Sequence, residues 1–419
     1  MEKNIYKSLI LFFLFLFIPS IIYADDEIYE ENISFVNFSN STSSPQSDEP
    51  KVNARHAVIF DRNSKTAIYG KHEKEKCKMA STTKIMTAIV VIENSNLNDI
   101  VIISSKAALT GGSRLGLSKN DKISVKHLLY GLMLKSGNDA AVALAEHTGG
   151  NINTFALMMN QKAKILNLSN TNFVTPHGLD NDSHYTSALD LAILSDYALK
   201  NELFSKIVKA KSYTISINNH SKTISNTNEL LGNYEGIYGI KTGFTNGANR
   251  CLVTSCKRGN LDFICVVLGC DTKKNRTSDS IKLLNYAFNK FTLVNVEKII
   301  KKEFNKWYNS HQNSFYIDKG ISQNLILYLN ENDIIFQNIA VKNLEKEKVN
   351  TEISFSSYFD APIEENKEIG KIVLLINNKP YYSVHILSKN KVAKRNIYTY
   401  ILFFLKNYIS FFQKSPINI

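Results

Sequence analysis

Ser81 and Lys84 stand three residues apart at the head of Met79-Ala80-Ser81-Thr82-Thr83-Lys84-Ile85-Met86-Thr87-Ala88-Ile89-Val90-Val91-Ile92. Apart from Thr87, everything after Lys84 is apolar, as in a helix buried on most of its faces. Positions i and i+3 share one helix face, so the amine falls beside the hydroxyl at the mouth of an apolar environment. Desolvation there disfavours the ammonium. A neutral amine next to a serine can take its proton and create a nucleophile. The helix N-terminus adds its positive end, and the Ser81 backbone N–H can face a developing oxyanion. This is acyl-transfer chemistry. The spacing alone is a weak signal, since Ser388-Lys389-Asn390-Lys391 shares it with no apolar helix behind. Two further stretches give it weight: Leu134-Lys135-Ser136-Gly137-Asn138-Asp139, and Gly239-Ile240-Lys241-Thr242-Gly243-Phe244-Thr245.

The elements that must position these residues can be read from the pattern. Ala54–Asp61 and Thr66–Tyr69 flank Arg62-Asn63-Ser64-Lys65 as a hairpin. The Ser81 helix follows. Residues 104–200 have mainly helical periodicity, with turn signals at Gly111-Gly112, Gly149-Gly150 and Pro176-His177-Gly178. Strands resume near Ser212–Ile217 and continue at Gly236–Thr242, Arg250–Lys257 and Leu261–Cys270. A helix with Ile281, Leu284, Phe288 and Phe291 on one face closes the region. Strands, then helices, then strands again imply an α+β architecture: an antiparallel sheet flanked by helices, with a helical insertion and a cleft where the two meet. Residues near 305–388 hold short alternating segments and few helical stripes, which suggests a separate small β domain.

Composition bounds the class. With 44% hydrophobic and 21% charged residues, the chain is globular and not disordered. Its net charge of +12 suggests an anionic partner, phospholipid or wall polymer ahead of nucleic acid, although a general bias towards Lys, Asn and Ile explains the charge equally well. Five cysteines are an odd number, so at least one is free or paired between chains. Cys251, Cys256, Cys265 and Cys270 fall on two neighbouring predicted strands. They read as small buried hydrophobes, with an inter-strand bridge open to them in an oxidising compartment.

Residues 1–24 read as an export signal, with Lys3 and Lys7 before the apolar run Leu9–Ile18 and Ala24 offered for cleavage. Residues 25–50 resemble a flexible linker. At the other end, 389–419 comprise a basic stretch and an amphipathic helix. Its apolar run Tyr400–Leu405 is too short to cross a membrane but suits an anionic interface. The alternative is a helix docked on the protein's own core. The expected division is therefore 1–24 signal, 25–50 linker, 51–293 catalytic domain, 294–388 small β domain and 389–419 anchor.

S-x-x-K, S-x-N and K-T-G in that order form the signature of penicillin-binding proteins and class A β-lactamases. The match extends further. Phe173-Val174-Thr175-Pro176-His177-Gly178-Leu179-Asp180 and His184-Tyr185-Thr186-Ser187-Ala188-Leu189-Asp190-Leu191-Ala192 resemble the low-molecular-mass D-alanyl-D-alanine carboxypeptidases (penicillin-binding proteins 5 and 6, serine peptidase family S11). So do Ala57-Val58-Ile59-Phe60-Asp61, Ala361-Pro362-Ile363 and Ile369-Gly370-Lys371-Ile372. The resemblance runs from about Ala54 to the C-terminus, the amphipathic helix included. It implies that Ser81 attacks the carbonyl between two terminal D-alanines, with Lys84 as base and Ser136 relaying the proton to the departing amine. Asn138 would hold Lys84 and the substrate amide. Lys241 would keep Lys84 deprotonated and attract the substrate carboxylate. The Phe244 amide would be a second oxyanion donor, Gly243 would leave room for substrate, and Thr242 with Arg276 would grip the free carboxylate.

The resemblance implies no cofactor and no metal. The partners would be stem peptides ending in D-Ala-D-Ala, β-lactams and an anionic inner-membrane surface on the periplasmic side, with no nucleic acid. Two departures matter. Thr227 stands where some relatives carry arginine, and the 170–182 loop has no glutamate placed like the deacylating residue of class A β-lactamases. His177 and His184, with Asp180 and Asp182, read as loop-holding residues and not as a zinc site. Rival readings are D,D-endopeptidase or weak β-lactamase chemistry, or a catalytically idle wall-binding protein.

Overall fold

The computed structural model describes residues 49–334, 338–343 and 348–414. The export signal at 1–24 and nearly all of the 25–50 linker lie outside the described residues. An antiparallel sheet organises the first part of the chain: β1 (His56–Asp61), β2 (Thr66–Lys71), β3 (Ile237–Thr245), β4 (Asn249–Arg258) and β5 (Leu261–Cys270), in the order β2-β1-β5-β4-β3. The N-terminal hairpin thus joins the sheet through β1, which pairs with β5 about 200 residues later (His56 opposite Leu268, Asp61 opposite Phe263), and the helices fill the interval, as the sequence pattern anticipates. Leu261–Cys270 is central and has eight consecutive buried residues. It reads as a continuous hydrophobic run because both faces are covered.

One face carries the insertion: α1 (Lys84–Asn94), α2 (Val125–Leu134), α3 (Asn138–Gly149), α4 (Ile152–Ile165), α5 (Ala188–Lys200) and α6 (Glu202–Lys209). Helix α1 runs through the middle of this core. Ile85, Met86, Ala88, Ile89, Val90 and Val91 are all 0–1% exposed, which explains why its sequence has no polar face. Thr87 is tolerated there because its hydroxyl donates to the Pro176 carbonyl at 2.6 Å. The opposite face of the sheet is covered by α7 (Lys273–Lys290) through Leu283, Leu284 and Ala287.

A second core gathers around a four-stranded sheet of Leu327–Leu329, Lys379–Ser388, Glu368–Ile376 and Val349–Phe355. The helix α8 (Val296–His311) packs into it through Ile300, Phe304 and Trp307, an element the sequence analysis did not anticipate. Its stripe Val296-Ile300-Phe304-Trp307 has helical spacing, but the lysines and asparagines between obscure it. Asp61 links the two parts: its carboxylate accepts from the Ser64 hydroxyl at 2.7 Å and from the Ala340 amide at 3.1 Å. The terminal helix α9 (Ile397–Lys414) keeps the apolar side chains from Ile397 to Ile409 outside both cores; Phe404 is 68% and Ile409 55% exposed. No helix among the described residues is long and apolar enough to cross a membrane.

Candidate active site

Ser81 does not sit on the α-helix. It lies in a 3-10 turn, Ala80–Thr83, that leads into α1 at Lys84. The turn is entered through Ala80 at φ +50°, a left-handed conformation that a residue with a Cβ adopts only at a cost. Gly178, itself at φ +83°, lies directly beneath; a Cβ there would fall 1.9 Å from the Ala80 carbonyl oxygen. The His184 Nε2 holds the Thr83 hydroxyl at 2.8 Å, and its Nδ1 accepts from the Val174 amide at 2.9 Å. The 173–184 segment is thus the floor of the nucleophile turn, and its histidines and aspartates are loop-holding. Asp180 likewise bonds Thr245 and the Gly247 amide, and Asp182 pairs with Lys78.

Lys84 is fully buried, and its amine has three partners: Ser81 Oγ at 2.9 Å, Asn138 Oδ1 at 2.7 Å and the His177 carbonyl at 2.8 Å. The Asn138 orientation is fixed by its Nδ2, which donates to the Gly111 carbonyl at 2.7 Å. Its oxygen and the His177 carbonyl can therefore only accept. A neutral amine has two N–H groups and one lone pair. Both N–H groups are taken by those two acceptors, which leaves the lone pair facing the Ser81 hydroxyl. Burial pushes the Lys84 pKa well below its ordinary value, and the charge on Lys241 pushes it further.

Lys241 is 1% exposed on edge strand β3, with its amine donating to the Thr242 carbonyl at 2.9 Å. Burial, with Arg276 nearby, pushes its pKa down to about 7. Strand β3 runs so close to the serine turn that a Cβ on Gly243 would lie 3.1 Å from both Ala80 Cβ and the Ser81 amide nitrogen. The glycine leaves room for the Ala80–Ser81 turn. Ser136, 6% exposed at φ +61°, ends the loop before α3, and its hydroxyl makes no protein hydrogen bond among the described residues. Asp139, next to the S-x-N asparagine, ties down residues 115–117 by accepting from three of their amides at 2.8 to 3.0 Å.

Arg276 is 4% exposed near the start of α7, where Glu229 accepts from its Nη2 at 3.3 Å while its Nε stays unpaired. Burial lowers its pKa and Glu229 opposes that shift. Glu229 also pairs with Lys273 at 2.6 Å and bonds the Thr277 hydroxyl. Thr227 and Thr242 share a hydrogen bond between their hydroxyls at 2.7 Å. Sequence reasoning missed the His177 carbonyl, Asp139 and Glu229; a lone acidic residue next to Thr227-Asn228 carried no pattern that could reveal it. The five cysteines are free thiols, four of them buried. Ser388 ends a strand with its hydroxyl donating to the Glu364 carbonyl, while the Lys391 amine pairs with the Glu364 carboxylate instead of the serine.

Comparison with known proteins agrees with this geometry. Residues 41–272 match the family described as Peptidase S11, D-alanyl-D-alanine carboxypeptidase, and residues 317–394 match the penicillin-binding protein 5 C-terminal domain. The D-alanyl-D-alanine carboxypeptidase DacF of Bacillus subtilis is 33% identical, covering 83% of this chain and 88% of that protein. The structure of penicillin-binding protein 5 from Haemophilus influenzae superposes with a TM-score of 0.68 at 28% identity, over 83% of this chain and all of that one. The Streptomyces K15 DD-transpeptidase gives 0.56 at 35% identity, over 58% of this chain and all of that one. A buried lysine on a serine, an S-x-N loop, a K-T-G edge strand and a trailing β domain all coincide with this match: the chain belongs to the D-alanyl-D-alanine carboxypeptidases of family S11, the penicillin-binding protein 5 type.

Proposed function

We propose that Ser81 is the nucleophile and Lys84 its base in cleaving the bond between the two terminal D-alanines of a peptidoglycan stem pentapeptide. Ser81 Oγ bonds to the penultimate carbonyl carbon as its proton passes to Lys84. The C–N bond then breaks, and the proton travels by way of Ser136 to the departing D-alanine amine. Water hydrolyses the acyl-enzyme, with Lys84 now taking the proton from water, and the Ser81 hydroxyl is restored. The Ser81 and Phe244 amides stabilise the oxyanion; one such donor typically contributes about 3 kcal/mol. Thr242, Lys241 and Arg276 receive the free carboxylate. A β-lactam enters the same cycle, and without a deacylating glutamate in the 170–182 loop its acyl-enzyme persists.

The observation that carries this reading is the saturation of Lys84 by two pure acceptors, which aims its lone pair at Ser81. The test is mass spectrometry of penicillin-treated protein, with release of D-alanine from a pentapeptide measured in parallel. Wild type should carry one adduct on the peptide containing Ser81, and Ser81→Ala should carry none while remaining folded. An adduct elsewhere, or labelling that survives the substitution, overturns the assignment.

The location follows the same reading. Residues 1–24 export the chain, 25–50 link it, 51–293 carry the reaction, 294–388 form the β module, and 389–419 lay α9 on the anionic inner-membrane surface at its periplasmic side. The support is the exposed apolar side of α9 beside Arg395, whose guanidinium stacks on Phe403 at 4.0 Å.

A further inference from the structure

The corner of the sheet next to the site holds more positive charge than the reaction as described uses. Side chains alternate along β3, so Lys241 and Gly243 face the serine turn while Thr242 and Phe244 face the other way. Arg250 on β4 is registered directly opposite Phe244 and shares that face. Leu252, two residues on, packs in the cluster that includes Leu283 and Leu284 of α7, the helix that brings in Arg276. On its other side Arg250 pairs with Cys270, the last residue of β5 before the turn into α7. Thr242, Phe244, Arg250 and Arg276 therefore gather on the α7 side of the β3 edge, and Arg276 lies close enough to Lys241 across that edge to help lower its pKa.

The two arginines are held differently. Arg276 is bound to Glu229, which balances much of its charge. Arg250 has no acidic partner among the described residues; its guanidinium lies flat on the Phe244 ring, 3.6 Å from the centroid. Phe244 is 47% exposed and Arg250 half-buried, so this stacked pair forms the rim of the site beside the proposed oxyanion amide. The two guanidinium charges also act on each other, Arg250 helping to lower the pKa of Arg276. The repulsion between the two is relieved when an anion binds beside Arg250, the one of the pair without an acidic partner among the described residues. Stacking fixes the plane of Arg250 and leaves the N–H edge of the guanidinium open for a carboxylate.

We propose that Arg250, stacked on Phe244, is a specificity-determining residue that binds the free carboxylate of the incoming peptide at the rim and hands it to Arg276 and Thr242 inside. This rests on the carboxypeptidase reading above. Arg276 is already shared with Glu229, so Arg250 is the unshared cation that a carboxylate meets first.

The test measures KM and kcat for a peptide ending in D-Ala-D-Ala at low and high salt, in wild type, Arg250→Gln and Arg250→Lys. It also compares acylation of Ser81 by a penicillin and by its methyl ester. Arg250→Gln should raise KM about 10-fold, the size of one charge-assisted hydrogen bond at a partly exposed site, with kcat changed less than twofold. The salt dependence of kcat/KM should flatten, Arg250→Lys should recover most of the loss, and the penicillin should lose far more acylation rate than its ester. An unchanged KM, or equal losses with acid and ester, overturns the proposal and makes Arg250 a support for the Phe244 ring. If wild type acylates but releases no D-alanine, the carboxypeptidase reading falls, and the acid–ester comparison still decides the role of Arg250.

Discussion

Replacing Asn138 by aspartate changes one atom type in the site and tests its central claim. Asn138 Oδ1 lies 2.7 Å from Lys84 Nζ, so the substitution sets a carboxylate against the amine with almost no change of shape. Two unit charges about 3 Å apart at an effective dielectric near 20 interact by roughly 5 kcal/mol, which corresponds to about 3–4 pH units of proton affinity. The sign follows from the role. On the proposed role Lys84 works as the neutral amine, and burial together with Lys241 holds its pKa well below the ordinary lysine value, so wild-type acylation should persist to lower pH than an ordinary lysine would allow. A carboxylate favours the ammonium, so the acidic limb of acylation should move up by several pH units. At a fixed pH below that limb the rate should fall about tenfold per unit.

The assay is the pseudo-first-order rate of labelling by a fluorescent penicillin between pH 4 and 10, with circular dichroism to confirm folding. Asn138→Asp also loses the Nδ2 bond to the Gly111 carbonyl, so Asn138→Ala serves as control; it removes both bonds without adding charge. A uniform drop at every pH, with the limb in its wild-type place, would refute the view that a lone pair on Lys84 activates Ser81.

Further outcomes follow from the same geometry. Lys241, pushed down to about 7, loses its charge as pH rises, so capture of a carboxylate substrate should weaken above neutrality. Lys241→Arg should abolish that alkaline decline in kcat/KM even where the absolute rate falls, and a decline that survives would place its origin elsewhere. Gly243→Ala puts a methyl 3.1 Å from Ala80 Cβ and the Ser81 amide nitrogen, and should cost about 1–3 kcal/mol of stability while slowing acylation. A normal melting temperature with normal labelling would show that strand and turn can separate freely. Deleting 396–419 should release the protein from membranes once 1–24 is removed, as read by fractionation, and continued sedimentation with membranes would dismiss α9 as the tether.

Much of the architecture was legible because burial leaves a local trace. The apolar run after Lys84, interrupted only by Thr87, announces a helix inside a core, and the strand expected at Leu261–Cys270 has the bounds it was given. The ordered S-x-x-K, S-x-N and K-T-G motifs announced the chemistry because each residue type has few other reasons to recur in that order. Helix α8 escapes the sequence pattern because its stripe Val296-Ile300-Phe304-Trp307 is narrow and most of the positions between are Lys, Asn and Glu.

What the sequence determined by itself was which side chains could react and which segments were stiff enough to carry them. The tertiary structure decided which atoms meet. Lys84 finds its acceptors 54 and 93 residues away, and one of them is a backbone carbonyl that any residue type would supply. Glu229 reaches Arg276 across 47 residues, and Arg250 becomes part of the rim only through its register opposite Phe244. A periodic pattern records how strongly each position avoids water, whereas hydrogen bonds and charge pairs between remote segments depend on how whole layers pack.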